Sequence, residues 1–241
     1  MFQELEYNED IDTVSGIQFS VMSPEEIRRR SVAEIFTNET YDGDIPKIGG
    51  IFDPRMGVLD HGQKCPTDEL NNRYCPGYMG HIELAKPVFY IHFLKYTLKT
   101  LQSICPKCSK LCIDSSDPEL KKLIKNKRGW NRFKIVTSKC HKLNSKKRCG
   151  TYCKNGCGAY MPNSIKRENT FIGKITATWK KSASDTDTDS EDLALSWDAS
   201  DVLKIFQRIS DEDLITLGFD LTFCRPEWLI CSVLPIPPPA V

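Results

Sequence analysis

An irregular α+β fold, loop-rich and interrupted by a basic, thiol-rich insertion, is predicted by three observations. Short stretches with strand alternation or capped helix starts are separated by long runs of Gly, Pro and polar residues. Charge is segregated: residues 121–154 hold 13 Lys or Arg and no Asp or Glu, and residues 185–201 hold seven acidic residues and no basic one, although the net charge is only +1. Nine of the 11 cysteines fall between residues 65 and 157. At 241 residues, 40% hydrophobic and 27% charged, the chain has the length of one large domain or two small ones. No apolar run approaches the roughly 18 to 20 residues that a membrane span needs, so no membrane association is expected. Residues 1–12 are acidic, unlike a secretory leader, so a reducing compartment is expected. An odd number of thiols in that setting points to metal binding rather than to a disulfide scaffold.

Gly16-Ile17-Gln18-Phe19-Ser20-Val21 alternates apolar and polar like a strand with one buried face. Ser23-Pro24-Glu25-Glu26 then supplies a capping hydroxyl, a proline at the first helical position and a Glu three residues after the cap. A helix is expected there, carrying Ile27, Val32 and Ile35. Residues 38–75 hold glycines, prolines and polar residues, with Gly49-Gly50 and Asp53-Pro54-Arg55 as turn signals, and predict an irregular segment. Residues 88–104 are apolar, with Lys95, Lys99 and Thr100 spaced as one polar side of a helix. Inside the Cys- and Lys-rich stretch 105–158 a short helix is expected near residues 118–127. Residues 175–179 read as a strand with Ile175, Ala177 and Trp179 on one face. Residues 182–192 are apolar-poor and acidic and predict a mobile surface loop. Helices follow at 200–208 and 211–217, the second opened by Ser210 and closed by Gly218. The last elements are a strand at 229–234 and an extended run, Pro235-Ile236-Pro237-Pro238-Pro239. No repeat at periods of about 20 to 50 residues is present.

Cys105-Pro106-Lys107-Cys108 is the strongest local signal, because two thiolates separated by two residues can fold around one tetrahedral Zn2+ at about 2.3 Å each. A second pair must come from Cys140, Cys149, Cys153 and Cys157, the last flanked by Gly156 and Gly158, which let a backbone turn tightly toward a metal. The competing readings are buried thiols packed as small hydrophobes and a redox pair. A looser cluster is Cys65 and Cys75 with Asp68 between them and His61 and His81 nearby, whose spacing suits a mixed site imperfectly. Cys112, Cys224 and Cys231 have no ligand-like partners in sequence.

The basic stretch interleaves Trp130, Phe133 and Tyr152 with its cations, as surfaces that neutralise phosphate and stack on bases do. Lys121, Lys122, Lys125, Lys127, Arg128, Arg132, Lys134, Lys146, Lys147 and Arg148 are its candidate nucleic-acid contacts, without sequence readout. Asp185-Thr186-Asp187-Thr188-Asp189 invites a calcium-loop reading, but the sixth loop position is not Gly and the twelfth is Ser196. No GxSxG, HExxH or phosphate loop is present, so no catalytic constellation stands out.

Taken together these phrases resemble the N-terminal part of the largest subunit of multisubunit DNA-directed RNA polymerases, over about residues 15–241. The phrases that carry the likeness are Ile17-Gln-Phe-Ser-Val-Met-Ser-Pro-Glu-Glu-Ile27 with Ser31-Val32, Lys47-Ile-Gly-Gly50, Asp53-Pro-Arg-Met-Gly57 and Cys75-Pro-Gly-Tyr-Met-Gly-His-Ile-Glu-Leu-Ala-Lys-Pro-Val88. Arg225-Pro-Glu-Trp228 and Leu234-Pro-Ile-Pro-Pro-Pro239 are similar to the segment leading toward the polymerase lid. The resemblance implies a clamp core with an inserted clamp head, the mobile wall that closes over DNA and the RNA:DNA hybrid. Its zinc ligands fall on Cys105, Cys108, Cys140 and Cys157, with Cys149 and Cys153 as substitutes for Cys140. The family's other zinc site, Cys-x2-Cys-x6-Cys-x2-His, reads here Cys65, Asp68, Cys75 and Tyr78, so two ligands are missing and the site is expected to be metal-free unless His81 or His61 swings in.

The same resemblance divides the chain into clamp core (1–104), zinc-binding basic head (105–179), acidic mobile loop (180–198) and a returning core segment (199–241). The family's Mg2+-chelating loop, Asn-Ala-Asp-Phe-Asp-Gly-Asp, is absent from this sequence, so Mg2+ belongs to the full polymerase and this piece of the subunit is expected to be noncatalytic alone. The implied partners are the second-largest and other polymerase subunits, nucleic acid, and initiation or elongation factors. The wording, with its degraded second site, is similar to a large cytoplasmic DNA virus enzyme, acting in the virion or the infected cytoplasm; a cellular enzyme would be nuclear. The rival reading is a freestanding zinc-dependent nucleic-acid-binding protein.

Overall fold

A computed structural model describes residues 13–143, 148–151, 156–168, 173–179 and 193–239. Residues 13–20 are exposed and without regular structure, with Ile17 83% and Phe19 94% accessible. The alternation at 16–21 therefore does not make a strand: among the described residues it finds no ladder to join, and only Val21 N–H reaches another segment, at Phe223 O. Helix α1, Pro24–Arg30, starts as expected, with Ser23 Oγ accepting the Glu26 N–H at 3.1 Å. It ends earlier than the sequence suggests. Val32 and Ile35 donate instead to Met79 O and His81 O, carrying β1 (Ala33–Glu34) parallel to β4 (Gly80–Phe89).

Strands β2 (Tyr41–Asp42) and β3 (Ile45–Pro46) form a small hairpin. The next 30 or so residues are irregular, apart from a 3-10 turn at Pro54–Met56, as the glycines and prolines predict. Strand β4 overrides the helix expected from residue 88: Val88 and Phe89 pair with Cys231 and Ile230 of β8 (Ile230–Ile236), and α2 spans only Leu94–Ser103. The register shifts between Glu83 and Val88, where Pro87 has no N–H to give to the ladder.

In the basic region, α3 (Pro118–Ile124) is capped by Asp117, which accepts the Glu119 N–H, and is followed by a 15-residue helix that the sequence reading lacks, α4 (Gly129–Leu143). Strands β5 (Ser164–Arg167), β6 (Ile175–Trp179) and β7 (Leu193–Trp197) form an antiparallel sheet. Of the residues 180–198 expected as an acidic loop, 180–192 lie outside the described residues, and 193–197 are β7, held by pairing with β6. Helices α5 (Ala199–Gln207) and α6 (Asp211–Leu217) complete the set, with Gly218 closing α6 at φ +98°.

The main core joins Leu101 of α2, Leu120 of α3, Val136 and Cys140 of α4, Ile175 of β6, Phe206 of α5 and Leu214 of α6. It is continuous from residue 89 to residue 230, so the basic insertion packs into the same interior as the segments on either side of it. A smaller cluster around Ala33, Ile35 and Met56 sits under the β1–β4–β8 sheet, and a third consists of Cys105, Cys112, Cys149 and Met161.

Candidate metal centres and basic face

Two loops of this chain share one backbone shape. In the first, Cys105 N–H donates to Lys110 O at 2.9 Å and Ser109 N–H to Cys105 O at 2.8 Å, and Ser109 takes φ +59°. In the second, Cys65 N–H donates to Leu70 O and Glu69 N–H to Cys65 O, both at 2.8 Å, and Glu69 also takes φ +59°. Both turns aim the side chains of their first and fourth residues, Cys105 with Cys108 and Cys65 with Asp68, at one point. The left-handed residue after each pair is what reverses the chain.

A facing turn completes the first site. Cys149 N–H donates to Ala159 O at 2.8 Å and Gly158 N–H to Cys149 O at 3.0 Å. Gly150 and Gly156 let the two sides meet, since a Cβ on Gly156 would lie 2.2 Å from Gly150 Cα. The four sulfurs of Cys105, Cys108, Cys149 and Cys157 lie within 4.8 Å of one another, with Cys105–Cys157 and Cys108–Cys149 both at 3.6 Å. A tetrahedron with Zn–S bonds of about 2.3 Å has S–S edges of about 3.8 Å, so donor type, number and spacing fit a structural Zn2+. Burial, with the neighbouring thiols, pushes Cys105 up to about 11. Burial also opposes ionisation of Cys108, but the Lys110 N–H and the Cys149, Cys105 and Cys157 thiols outweigh it and bring that thiol down to about 7. Such a cluster supplies thiolates readily only to a cation.

Cys140 is not in this group. It is fully buried at the i+7 position of the inward stripe Phe133, Val136, Thr137, Cys140 of α4, and burial pushes its thiol up to about 12. Cys149 takes the place expected for it, and Cys153 lies outside the described residues.

In the second loop Cys65, Asp68 and Cys75 are the metal-capable donors within 4.8 Å of one another. Tyr78 donates its hydroxyl to Asp68 Oδ2 at 3.1 Å. Neither histidine swings in. His81 lies on β4 with Nδ1 2.7 Å from Ser31 Oγ, and His61 Nδ1 is 3.3 Å from Asn72 Nδ2. Burial pushes the Cys75 thiol up to about 11, with Asp68 and Cys65 adding to it against the Gly77 N–H. Burial raises the Tyr78 hydroxyl, as does Asp68. Burial also acts to raise Asp68, but the Leu70 N–H and the Cys75, Tyr78 and Cys65 side chains hold it below the usual carboxylate range.

The basic residues separate by face. Lys127, Lys134, Lys139 and Lys142 line an open groove along α3 and α4 with Asn131 and Ser138, and no carboxylate is among the lining residues. Lys139 leans to Asp117 at 2.8 Å. Lys121, Lys122, Lys125 and Arg128 are exposed beside it. Arg132 points away from the groove: its Nε donates to Thr216 O at 3.2 Å, tying α4 to α6. Arg148 lies over the Tyr160 ring at 4.2 Å and donates to its hydroxyl. Lys146, Lys147 and Tyr152 lie outside the described residues. Of the interleaved rings, Phe133 faces inward, buried against Phe219, whereas Trp130, 44% exposed, lies at the surface, where it stacks on Phe133 at 5.7 Å and meets Tyr96 edge-on at 5.0 Å. Alternation with lysine was thus the mark of a helix with one apolar face.

Residues 11–241 match the family model described as RNA polymerase Rpb1, domain 1.

Proposed function

Because the chain belongs to the RNA polymerase largest-subunit family, as its N-terminal domain 1, we propose that it is the clamp segment that closes over DNA and the RNA:DNA hybrid. Membership makes it part of DNA-directed RNA polymerase, a nucleotidyltransferase, with other polymerase subunits and nucleic acid as its partners. In this reading the segment is noncatalytic and binds and positions, while Mg2+-dependent chemistry takes place elsewhere in the enzyme. Cys105, Cys108, Cys149 and Cys157 would hold Zn2+, whose contribution is a rigid cross-link between residues 105–108 and 149–157. The viral reading, with its virion or cytoplasmic setting, rests on the overall wording of the sequence, including the degraded Cys65 loop.

The observation that carries the nucleic-acid contact is the lysine groove of α3 and α4. Lys134 and Lys142 lie eight residues apart on α4, about 12 Å along its axis, Lys127 precedes that helix, and none of the three meets an acidic side chain among the residues lining the groove. Such a row neutralises phosphates and reads no sequence. Contact with other subunits is supported by apolar side chains left in water: Phe36 is 75%, Ile45 71% and Tyr74 68% exposed, and Ile17 and Phe19 add two more near the start of the described residues. The test is nucleic-acid binding by the assembled polymerase carrying Lys127→Ala, Lys134→Ala and Lys142→Ala together. The expected result is weaker binding, with the slope of log K against log salt reduced by about 2 to 3. Unchanged affinity and slope would remove the groove from the account.

A further inference from the structure

The second loop has the backbone of a metal knuckle without the donors of one, and we infer that the Tyr78–Asp68 hydrogen bond closes it in place of a metal ion. Structural zinc sites are built from Cys and His, whereas this loop offers two thiols, one carboxylate and one phenol. Three of the four donors already have a protein partner by hydrogen bonding. Cys65 Sγ donates to Arg55 O at 3.7 Å, Asp68 Oδ1 accepts the Leu70 N–H at 2.9 Å, and Asp68 Oδ2 accepts the Tyr78 hydroxyl at 3.1 Å. In the Cys105 loop all four donors are thiols, and they approach one another in two pairs at 3.6 Å.

The hydrogen bond joins the same two pieces of chain that a metal would join. Asp68 ends the knuckle, and Tyr78 follows Cys75 and is itself fixed by its N–H to Met56 O at 2.8 Å. Thr67 adds a hydroxyl bond to Arg55 O at 2.6 Å. Residues 65–78 are thus tied to the Pro54–Met56 turn and to each other by hydrogen bonds, and on this inference the loop keeps its shape without a metal ion. The inference departs from the metal site that the family pattern implies, and it stands apart from the assignment of Zn2+ to the Cys105 group.

Cobalt titration of the full chain after metal removal tests it, because thiolate-to-Co2+ charge-transfer absorption counts sites directly. One equivalent is expected in the parent chain and in Cys75→Ser. Asp68→Cys combined with Tyr78→His rebuilds a four-donor set and is expected to take up a second equivalent. Limited proteolysis reads the hydrogen bond itself: Tyr78→Phe should raise cleavage within residues 60–78 about tenfold with cobalt uptake unchanged. Two equivalents in the parent chain, one of them lost in Cys75→Ser, would overturn the inference, as would unchanged cleavage in Tyr78→Phe. Loss of all cobalt binding with the Tyr78→Phe effect intact would count against the Cys105 assignment alone.

Discussion

Asp53 is fully buried, and its carboxylate accepts the Gly49 N–H at 2.6 Å, the Arg55 N–H at 3.0 Å and the Arg55 guanidinium at 2.6 and 2.9 Å. Burial alone would raise its pKa; the Arg55 side chain and the two backbone N–H groups outweigh it and hold it below the usual carboxylate range. Its stabilising contribution is therefore complete above the unfolded value of about 3.9 and is lost as pH falls through the lower folded value. Asp53→Asn should cost about 1 to 3 kcal/mol in denaturant unfolding at neutral pH, and the variant should lose part of the parent's acid lability below about pH 4. An equal acid slope in both proteins would contradict this. The Asp53-Pro54-Arg55 turn was legible in sequence because proline and Asx capping are local. The choice between Cys140 and Cys149 was not, because spacing cannot tell a ligand from a core thiol when the helix that buries one of them has not been recognised.

That helix, α4, shows what hid at the scale of elements. Its buried positions 133, 136, 137 and 140 follow helical spacing, but a glycine start and a run of lysines drew attention to charge instead. The elements that were legible carried caps: α1 with Ser23, and α6 with Ser210 and Gly218. Long apolar residues 88–104 misled because a continuous apolar run suits both a helix and a buried strand, and pairing with β8 decided for the strand in its first two residues. Gly218 links the two kinds of element. It is left-handed, and a Cβ there would sit 2.9 Å from Gly129 O at the start of α4. Gly218→Ala should lower stability by about 1 to 2 kcal/mol in thermal unfolding, with metal content unchanged; a stability equal to the parent's would show that the α4–α6 contact is looser than described.

For the whole molecule, the α+β class and the loop-rich first third followed from local signals, whereas the arrangement of the interior did not. The main core draws on residues 89 to 230, which no window of sequence reveals, and it ties the basic insertion to its flanks. Beside that core the proposed roles are that the Cys105–Cys149 group closes the insertion and that the Cys65 loop closes by hydrogen bonds. Four thiols from two turns separated by some 40 residues fix the insertion only if one cation holds them together, and the proposed clamp role rests on that rigidity. The most direct measurement is zinc per chain by elemental analysis in the parent, Cys149→Ser and Cys140→Ala. The account predicts one zinc in the parent, one in Cys140→Ala and almost none in Cys149→Ser. Zinc lost from Cys140→Ala and kept by Cys149→Ser would contradict it.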